Sequence, residues 1–388
     1  MAEALLITTA IAVLLFVGVI SSWVARKLRV PDMLLLILAG LFFGHLEFKG
    51  QPLVQFPEVF LASLSILALA MIVFDSTARI KLRELDTFSL KAVRLTFIFT
   101  IFVLALFSTA AHFLLAIPFW TALLFASIMV GTSPEAILPL ASKAKEVTIL
   151  KLASVFDTPL TVIMPFIVID LMTIQSSILS EVIEQSTPFV MKFIVGIGTG
   201  VFVGLILFKL VQHVYAEVYS PLAVIVAALL AYVLAENLGG SGVLSVTSLG
   251  FFFGNVYVKE KITLLGVESV LAKALYILVF MLTGIIIKIS YTKEFFITSG
   301  ILFFTYCAIR FLATWVSLHK DSYSISEMIY ITLNAPKGIA TAAVVFTLLF
   351  QNIEGMTVIL DLTFAFILYS IVISSIVTFA YENHLRRH

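Results

Sequence analysis

One stretch of this chain brings together residue types that could bind a small hard cation. Lys151-Leu152-Ala153-Ser154-Val155-Phe156-Asp157-Thr158-Pro159-Leu160 sets a carboxylate beside two hydroxyls and a proline. Ser154 stands three residues before Asp157, which on a helix is the same face. Pro159 has no N–H to donate, so the turn before it holds a backbone carbonyl without its usual partner. Carboxylate, hydroxyl and carbonyl oxygens are the ligands that hard cations take. The competing reading makes Asp157 a carboxylate that satisfies a neighbouring helix and does nothing more.

Two further segments pair proline with glycine and a charge. They are Gly131-Thr132-Ser133-Pro134-Glu135 and Asn334-Ala335-Pro336-Lys337-Gly338. Each falls near the middle of a long apolar stretch, where proline breaks the helical ladder. The freed backbone groups are tolerable only against protein or a water-filled cavity. The charges have opposite sign: Glu135 can offset positive helix N-termini, and Lys337 negative C-termini. Thr132 and Ser133 add hydroxyl oxygens at the first break. One such segment alone would read as a proline kink; two of the same design read as a pair of broken helices.

Other ionisable residues in apolar surroundings also call for partners, since each costs at least about 2.5–3.5 kcal/mol to insert. Arg310, in Cys307-Ala308-Ile309-Arg310-Phe311, is expected to face Asp157 or Glu135, with pinning of helices an equal alternative. Asp75, in Phe74-Asp75-Ser76-Thr77, precedes the basic run from Arg79 to Arg83; it either orders an entrance or simply pairs with that run. Asp170, Lys273 and Asp361 are placed nearer span ends, where they can reach water. His45, His112, His213, His319, His384 and His388 show no metal-ligand spacing, and no nucleophile motif stands out, so an enzyme is a poor fit and no cofactor is expected. Cys307 is the only cysteine, which excludes an intrachain disulfide.

The elements that must position these groups are helices in lipid. Of 388 residues, 61% are hydrophobic and 12% charged. A soluble chain of this size has too much surface to hide that apolar content. With net charge +1 there is no field to attract a polyanion, so no nucleic-acid partner is expected. At roughly 20 apolar residues per crossing, thirteen spans emerge: about 4–24, 31–47, 56–76, 92–116, 119–141, 148–172, 188–210, 220–237, 241–257, 266–287, 296–317, 326–350 and 357–381. Connections are short, so residues 1–388 read as one transmembrane domain without a soluble regulatory part. The first span is too long for a signal peptide and has Glu3 in place of a basic start. With the N-terminus outside, sixteen of the 24 Lys and Arg fall inside and four outside. That bias predicts a cytoplasmic C-terminus. The two Pro–charge segments stand seven spans apart, so spans 1–6 and 8–13 would be inverted repeats meeting at a midplane site. Glu236-Asn237-Leu238-Gly239-Gly240-Ser241-Gly242 reads as a turn that lets helices pack closely.

The order of these features resembles the monovalent cation/proton antiporter superfamily, which contains sodium/proton exchangers and Kef-type potassium/proton systems. The resemblance covers essentially the whole chain. Gly131-Thr132-Ser133-Pro134 is similar to its Thr-Asp-Pro break in the fifth helix. Ser154-Val155-Phe156-Asp157-Thr158-Pro159 is similar to its Ser-Ile-Phe-Asn-Asp-Pro element in the sixth, and Ala335-Pro336-Lys337-Gly338-Ile339 to its Pro-Arg-Gly-Val element in the twelfth. Phe253-Gly254-Asn255 and Glu236 to Gly242 match its helix eight–nine region. Here Ser133 replaces the break-helix Asp, Thr158 replaces the second acid of the sixth helix, and Ala153 replaces an acid that in some relatives pairs with an Arg matching Arg310.

The resemblance implies an all-α fold with two broken crossing helices. It also implies spans 4–6 and 11–13 as a mobile core, spans 1–3 and 8–10 as a panel, and a homodimer. On that basis the expected activity is alternating-access exchange of Na⁺ or K⁺ for H⁺ in the plasma membrane. Asp157 would bind cation or proton, with Thr158, Ser154, Thr132 and Ser133 supplying neutral oxygens. Glu135, Lys337, Arg310 and Asp75 would compensate charge. Loading either ion neutralises the carboxylate, and the bare anion is too costly to carry through low dielectric. Two other classes fit the same scaffold: a channel without proton coupling, and an anion or organic-acid symporter with Lys337 as ligand.

Overall fold

The computed structural model describes residues 2–28, 32–48, 51–52, 56–80, 87–132, 145–175, 182–211, 219–256, 261–286, 292–321, 323–349, 353 and 355–385. Helices α1 (Ala2–Leu28), α2 (Asp32–Gly44) and α3 (Glu58–Ala78) come first. A short antiparallel hairpin, β1 (Glu47–Phe48) with β2 (Gln51–Pro52), joins the second to the third. Then follow α4 (Thr87–Phe102), a π-helical turn (Val103–Phe107), α5 (Ser108–Leu115), α6 (Phe119–Ile128) and α7 (Lys145–Gln175). The second half holds α8 (Val182–Val211), α9 (Tyr219–Asn237), α10 (Gly242–Asn255), α11 (Lys261–Ile286) and α12 (Lys293–Leu318). The chain closes with α13 (Ile325–Leu333), α14 (Ile339–Leu348) and α15 (Met356–Leu385).

Among the described residues, nine helices are long and apolar enough to cross a bilayer, and three shorter ones are predominantly apolar. Each expected span contains a described helix, and the all-α multi-span architecture with bent and broken helices is the one expected from sequence. Span four adds a feature that the sequence did not announce. Its buried residues Phe99, Val103, Phe107 and Ala111 recur every four positions. At 3.6 residues per turn such a row drifts around the helix. The wider π turn at Val103–Phe107 takes up the drift and keeps the row facing inward.

Many helices meet through small residues, because lipid gives apolar helices no drive to associate and close packing must replace it. The backbones of α2 and α11 touch at Gly40 and Gly284, where a Cβ on Gly40 would stand 2.9 Å from the Gly284 Cα. The turn after α9 is the expected glycine turn. Gly239 takes φ +75°, a conformation open to glycine, and Gly242 donates its N–H to Glu236 Oε1 at 2.8 Å. Gly240 lies against the backbone of Gly196 in α8. Two charges placed near span ends turn out to be paired between helices. Lys273 stands midway along α11 and donates to Asp32 Oδ2 at 2.6 Å, while the Tyr276 hydroxyl donates to Oδ1. Asp170 of α7 pairs with Lys192 of α8.

One end of the α4–α7–α12 group is tied by charge. Asp321, in the turn after α12, accepts from Lys91 at 3.0 Å and from Arg94 at the start of α4. Lys145 at the start of α7 pairs with Glu327 at 3.1 Å. Glu327 and Ser324 form a reciprocal capping box that starts α13. Burial works against the charged form of Asp321, but the hydrogen bonds from Lys91 and Arg94 outweigh it and hold this carboxyl below its ordinary range.

Candidate functional site

Asp157 sits near the middle of α7 and is 2% exposed. The helix runs through Pro159 and Pro165 without ending. Neighbouring hydroxyls supply donors to the carbonyls of this turn: Thr158 Oγ1 donates to Ser154 O at 2.8 Å, and Thr161 Oγ1 to Asp157 O at 2.9 Å. Ser154 Oγ likewise donates to Lys151 O at 2.8 Å. Ser154 and Thr158 therefore turn their protons to their own helix and not to Asp157; their oxygens keep lone pairs.

The carboxylate is held from outside α7. Thr132 Oγ1 donates to Asp157 Oδ2 at 2.6 Å, and Thr96 Oγ1 of α4 donates to Oδ1 at 2.6 Å. Thr132 belongs to the first expected break. There α6 ends at Ile128 and residues 129–132 leave the helix. Gly131 packs so tightly on Thr161 that no side chain fits between them. Ser133 and Glu135 lie outside the described residues.

The second break is the unwound Asn334–Gly338 between α13 and α14. Proline removes one donor here, and tertiary contacts replace the lost ladder. Lys337 is fully buried, and its Nζ donates to Met129 O at 2.5 Å, to Gly131 O at 2.6 Å and to the Tyr306 hydroxyl at 2.5 Å. The ammonium thus crosses from one break to the other and caps the carbonyls where α6 ends, the electrostatically favoured place for a cation. On the far side α15 supports the same segment. Ser370 Oγ accepts from the Lys337 N–H at 2.9 Å, Ser374 donates to Asn334 Oδ1, and Asn334 Nδ2 donates to Thr378 Oγ1 at 3.1 Å.

Arg310 is 3% exposed and lies over the Phe99 ring, with its Cζ 4.5 Å from the centroid. Asp157 takes its described hydrogen bonds from Thr96 and Thr132, and Arg310 is not among those donors. Within the described residues its Nε and Nη1 have no hydrogen-bond partner. Asp75 pairs with Arg79 one turn on, at 2.6 Å, and is a quarter exposed, which is the boundary role allowed for it from sequence. The structure therefore gathers Asp157, Thr132, Lys337 and Arg310 around the breaks, keeps Ser154 and Thr158 on the same turn, and leaves Asp75 at a helix end. Sequence reasoning passed over Thr96, Tyr306 and the α15 hydroxyls, and gave Asn334 no role of its own. The available signal was their spacing: Ser370, Ser374 and Thr378 repeat every four residues, as do Thr96 and Thr100.

A buried carboxylate between two hydroxyls, with two fixed cations nearby and two helix breaks at its level, can bind one positive ion and release it. Such an arrangement in a multi-span helical fold is that of a membrane transporter.

Comparison with known proteins gives the family. Residues 11–382 match the family model described as sodium/hydrogen exchanger, transmembrane, and the chain belongs to that family. It is 32% identical over 266 residues to the Na(+)/H(+) antiporter NhaH of Halobacillus aidingensis, a match spanning 63% of each protein. It is 26% identical over 362 residues to Na(+)/H(+) antiporter 1 of Methanocaldococcus jannaschii, covering 86% of this chain and 81% of the relative. A further relative, the K(+)/H(+) antiporter NhaP2 of Shewanella sp. (strain MR-4), is 24% identical over 93% of this chain and 64% of its own length. The fold matches the solved structure of the sodium proton antiporter MjNhaP1 from Methanocaldococcus jannaschii at pH 8. The TM-score is 0.80, with 20% identity over 97% of this chain and 99% of that one.

Proposed function

We propose that Asp157 is the shared seat for cation and proton in this exchanger. The chain is a secondary transporter that exchanges a monovalent cation, Na⁺ or K⁺, for H⁺. The observation that carries the assignment is the clamp: a fully buried carboxylate whose two oxygens accept from hydroxyls of two different elements, at the level of two helix breaks. Thr132 and Ser133 at the first break, with Ser154 and Thr158 on α7, supply neutral oxygens. Lys337, Arg310, Glu135 and Asp75 balance charge around the site or at its approach. One carboxylate taking one ion at a time supports electroneutral 1:1 turnover, since the empty anion is too costly to cross.

The reading extends to the whole molecule. Spans 4–6 and 11–13 form the moving core, and spans 1–3 and 8–10 the panel; in support, α4 packs on α7 and α12, while α2 packs on α11 and α3 on α10. Two chains pair through the panel in the plasma membrane. The N-terminus lies outside and the C-terminus in the cytoplasm, supported by the bias of basic residues.

The test is proton movement in vesicles holding a pH-sensitive dye, with Na⁺, K⁺, Li⁺ and chloride salts compared. Cation-specific dequenching is expected, and Asp157→Asn should abolish it. Dequenching that needs an added ionophore would indicate a channel, and anion dependence would indicate a symporter. Retained exchange in Asp157→Asn would remove the central assignment.

A further inference from the structure

We infer that Thr96 is a positioning residue that fixes the plane of the Asp157 carboxylate and so sets which monovalent cation the site prefers; this rests on Asp157 being the ion seat. An aspartate side chain ends in a broad, roughly two-fold torsion, so an unheld carboxylate swings. Here it is held at both oxygens. Thr132 reaches Oδ2 from the break after α6, and Thr96 reaches Oδ1 from α4, a helix that carries none of the Pro–charge segments. Two donors on two independent elements fix both the direction of the carboxylate and its rotation.

Thr96 is itself tightly placed. It is buried, its own carbonyl accepts from Thr100 Oγ1 at 2.8 Å, and its hydroxyl stands 3.5 Å from Ala153 O on the preceding turn of α7. Three residues on, Phe99 lies on the same face of α4 and forms the platform beneath Arg310. One turn of α4 thus supplies the hydroxyl that orients the anion and the ring that seats the buried Arg310 guanidinium. Discrimination between cations of equal charge depends on cavity size, ligand number and ligand flexibility. A carboxylate that cannot rotate presents one cavity size; a carboxylate freed on one side adapts to either ion. Thr96 is therefore placed to sharpen selectivity without touching the ion.

Thr96→Val removes the hydroxyl and keeps the shape; Thr96→Ser keeps the hydroxyl. In vesicles, Thr96→Val should raise the KM for the preferred cation about tenfold, since a hydrogen bond to a charged group is lost. Maximal rate should stay within about twofold, and the ratio of KM values for Na⁺ and K⁺ should shrink toward one. Thr96→Ser should keep both near wild type. Thr96→Cys is the second variant: it retains the size with a poor donor, and should fall on the valine side. Binding is read separately as the cation concentration giving half-maximal thermal stabilisation in detergent, so a wild type that binds but does not exchange would count against the exchange reading and not against Thr96. Wild-type KM and ratio in Thr96→Val and Thr96→Cys would overturn the assignment. So would a wild type that does not discriminate, or a loss of maximal rate at unchanged KM.

Discussion

Replacing Lys337 by methionine should damage the stability of this protein more than its chemistry. The side chain is fully buried, and its ammonium satisfies the carbonyls of Met129 and Gly131 and the Tyr306 hydroxyl. Methionine has nearly the same reach and no donor. Each buried acceptor left without a partner costs about 1–3 kcal/mol. Two carbonyls and a hydroxyl lie in the path, but removing the ammonium also removes the cost of burying a charge. The balance is a loss of about 2–4 kcal/mol. The loss falls on one joint, where the end of α6 meets the unwound Asn334–Gly338. In detergent, the temperature at which half the protein leaves the monodisperse peak should drop by roughly 5 °C or more. The fraction that stays folded and is reconstituted should still exchange, with a cation KM within about threefold of wild type, because Asp157 keeps both threonine donors. A Lys337→Met protein as stable as wild type would refute the reasoning that the ammonium holds the two breaks together. So would a stable protein with no exchange, which would make Lys337 part of the ion-carrying chemistry.

Thr158→Ala should raise the cation KM about threefold to tenfold with little change in maximal rate, because the Thr158 proton is committed to Ser154 O and only its oxygen lone pairs face outward; an unchanged KM would exclude Thr158 as a ligand. Asp321→Asn should lower thermal stability at neutral pH by loosening Lys91 and Arg94 from the turn after α12. The folded carboxyl is held below its ordinary value, so its contribution is present above about pH 4 and fades as pH falls below it. Melting curves of wild type and Asp321→Asn should therefore differ at pH 7 and converge below about pH 4; a gap that persists in acid would show that the effect is not ionic.

How much of this was legible in the sequence follows from how far each contact reaches along the chain. Composition alone placed the chain in lipid, because no soluble packing could hide that apolar content. Proline marked the breaks, since the loss of a backbone donor is a local fact written in the residue type. The second break lies at Asn334–Gly338 as expected, and α6 stops just ahead of the first. Asp157 stood out because a charge in an apolar stretch must have a use or a partner. The π turn of span four was hidden, because its signal is a four-residue recurrence of buried side chains, and burial is not visible before the helices pack.

Hydroxyls were the least readable class. Most serines and threonines on these helices simply donate to a carbonyl on their own preceding turn, as Thr77, Thr305 and Ser317 do. The four-residue spacing of Thr96 with Thr100, and of Ser374 with Ser370 and Thr378, marks a row of hydroxyls but not which of them reaches another helix. The partners of Thr96 and Ser374 lie 61 and 40 residues away. Separation along the chain also explains Lys337, whose two carbonyl acceptors are more than 200 residues earlier. Residue type and spacing thus determined that this protein lives in a membrane, that proline interrupts two of its apolar stretches, and that Asp157 is a carboxylate within a third. Which hydroxyls clamp that carboxylate, and which carbonyls hold the buried ammonium, was decided only by tertiary packing. A hydrogen bond is directional and short, and a helix turned by a single residue would aim the same side chain elsewhere.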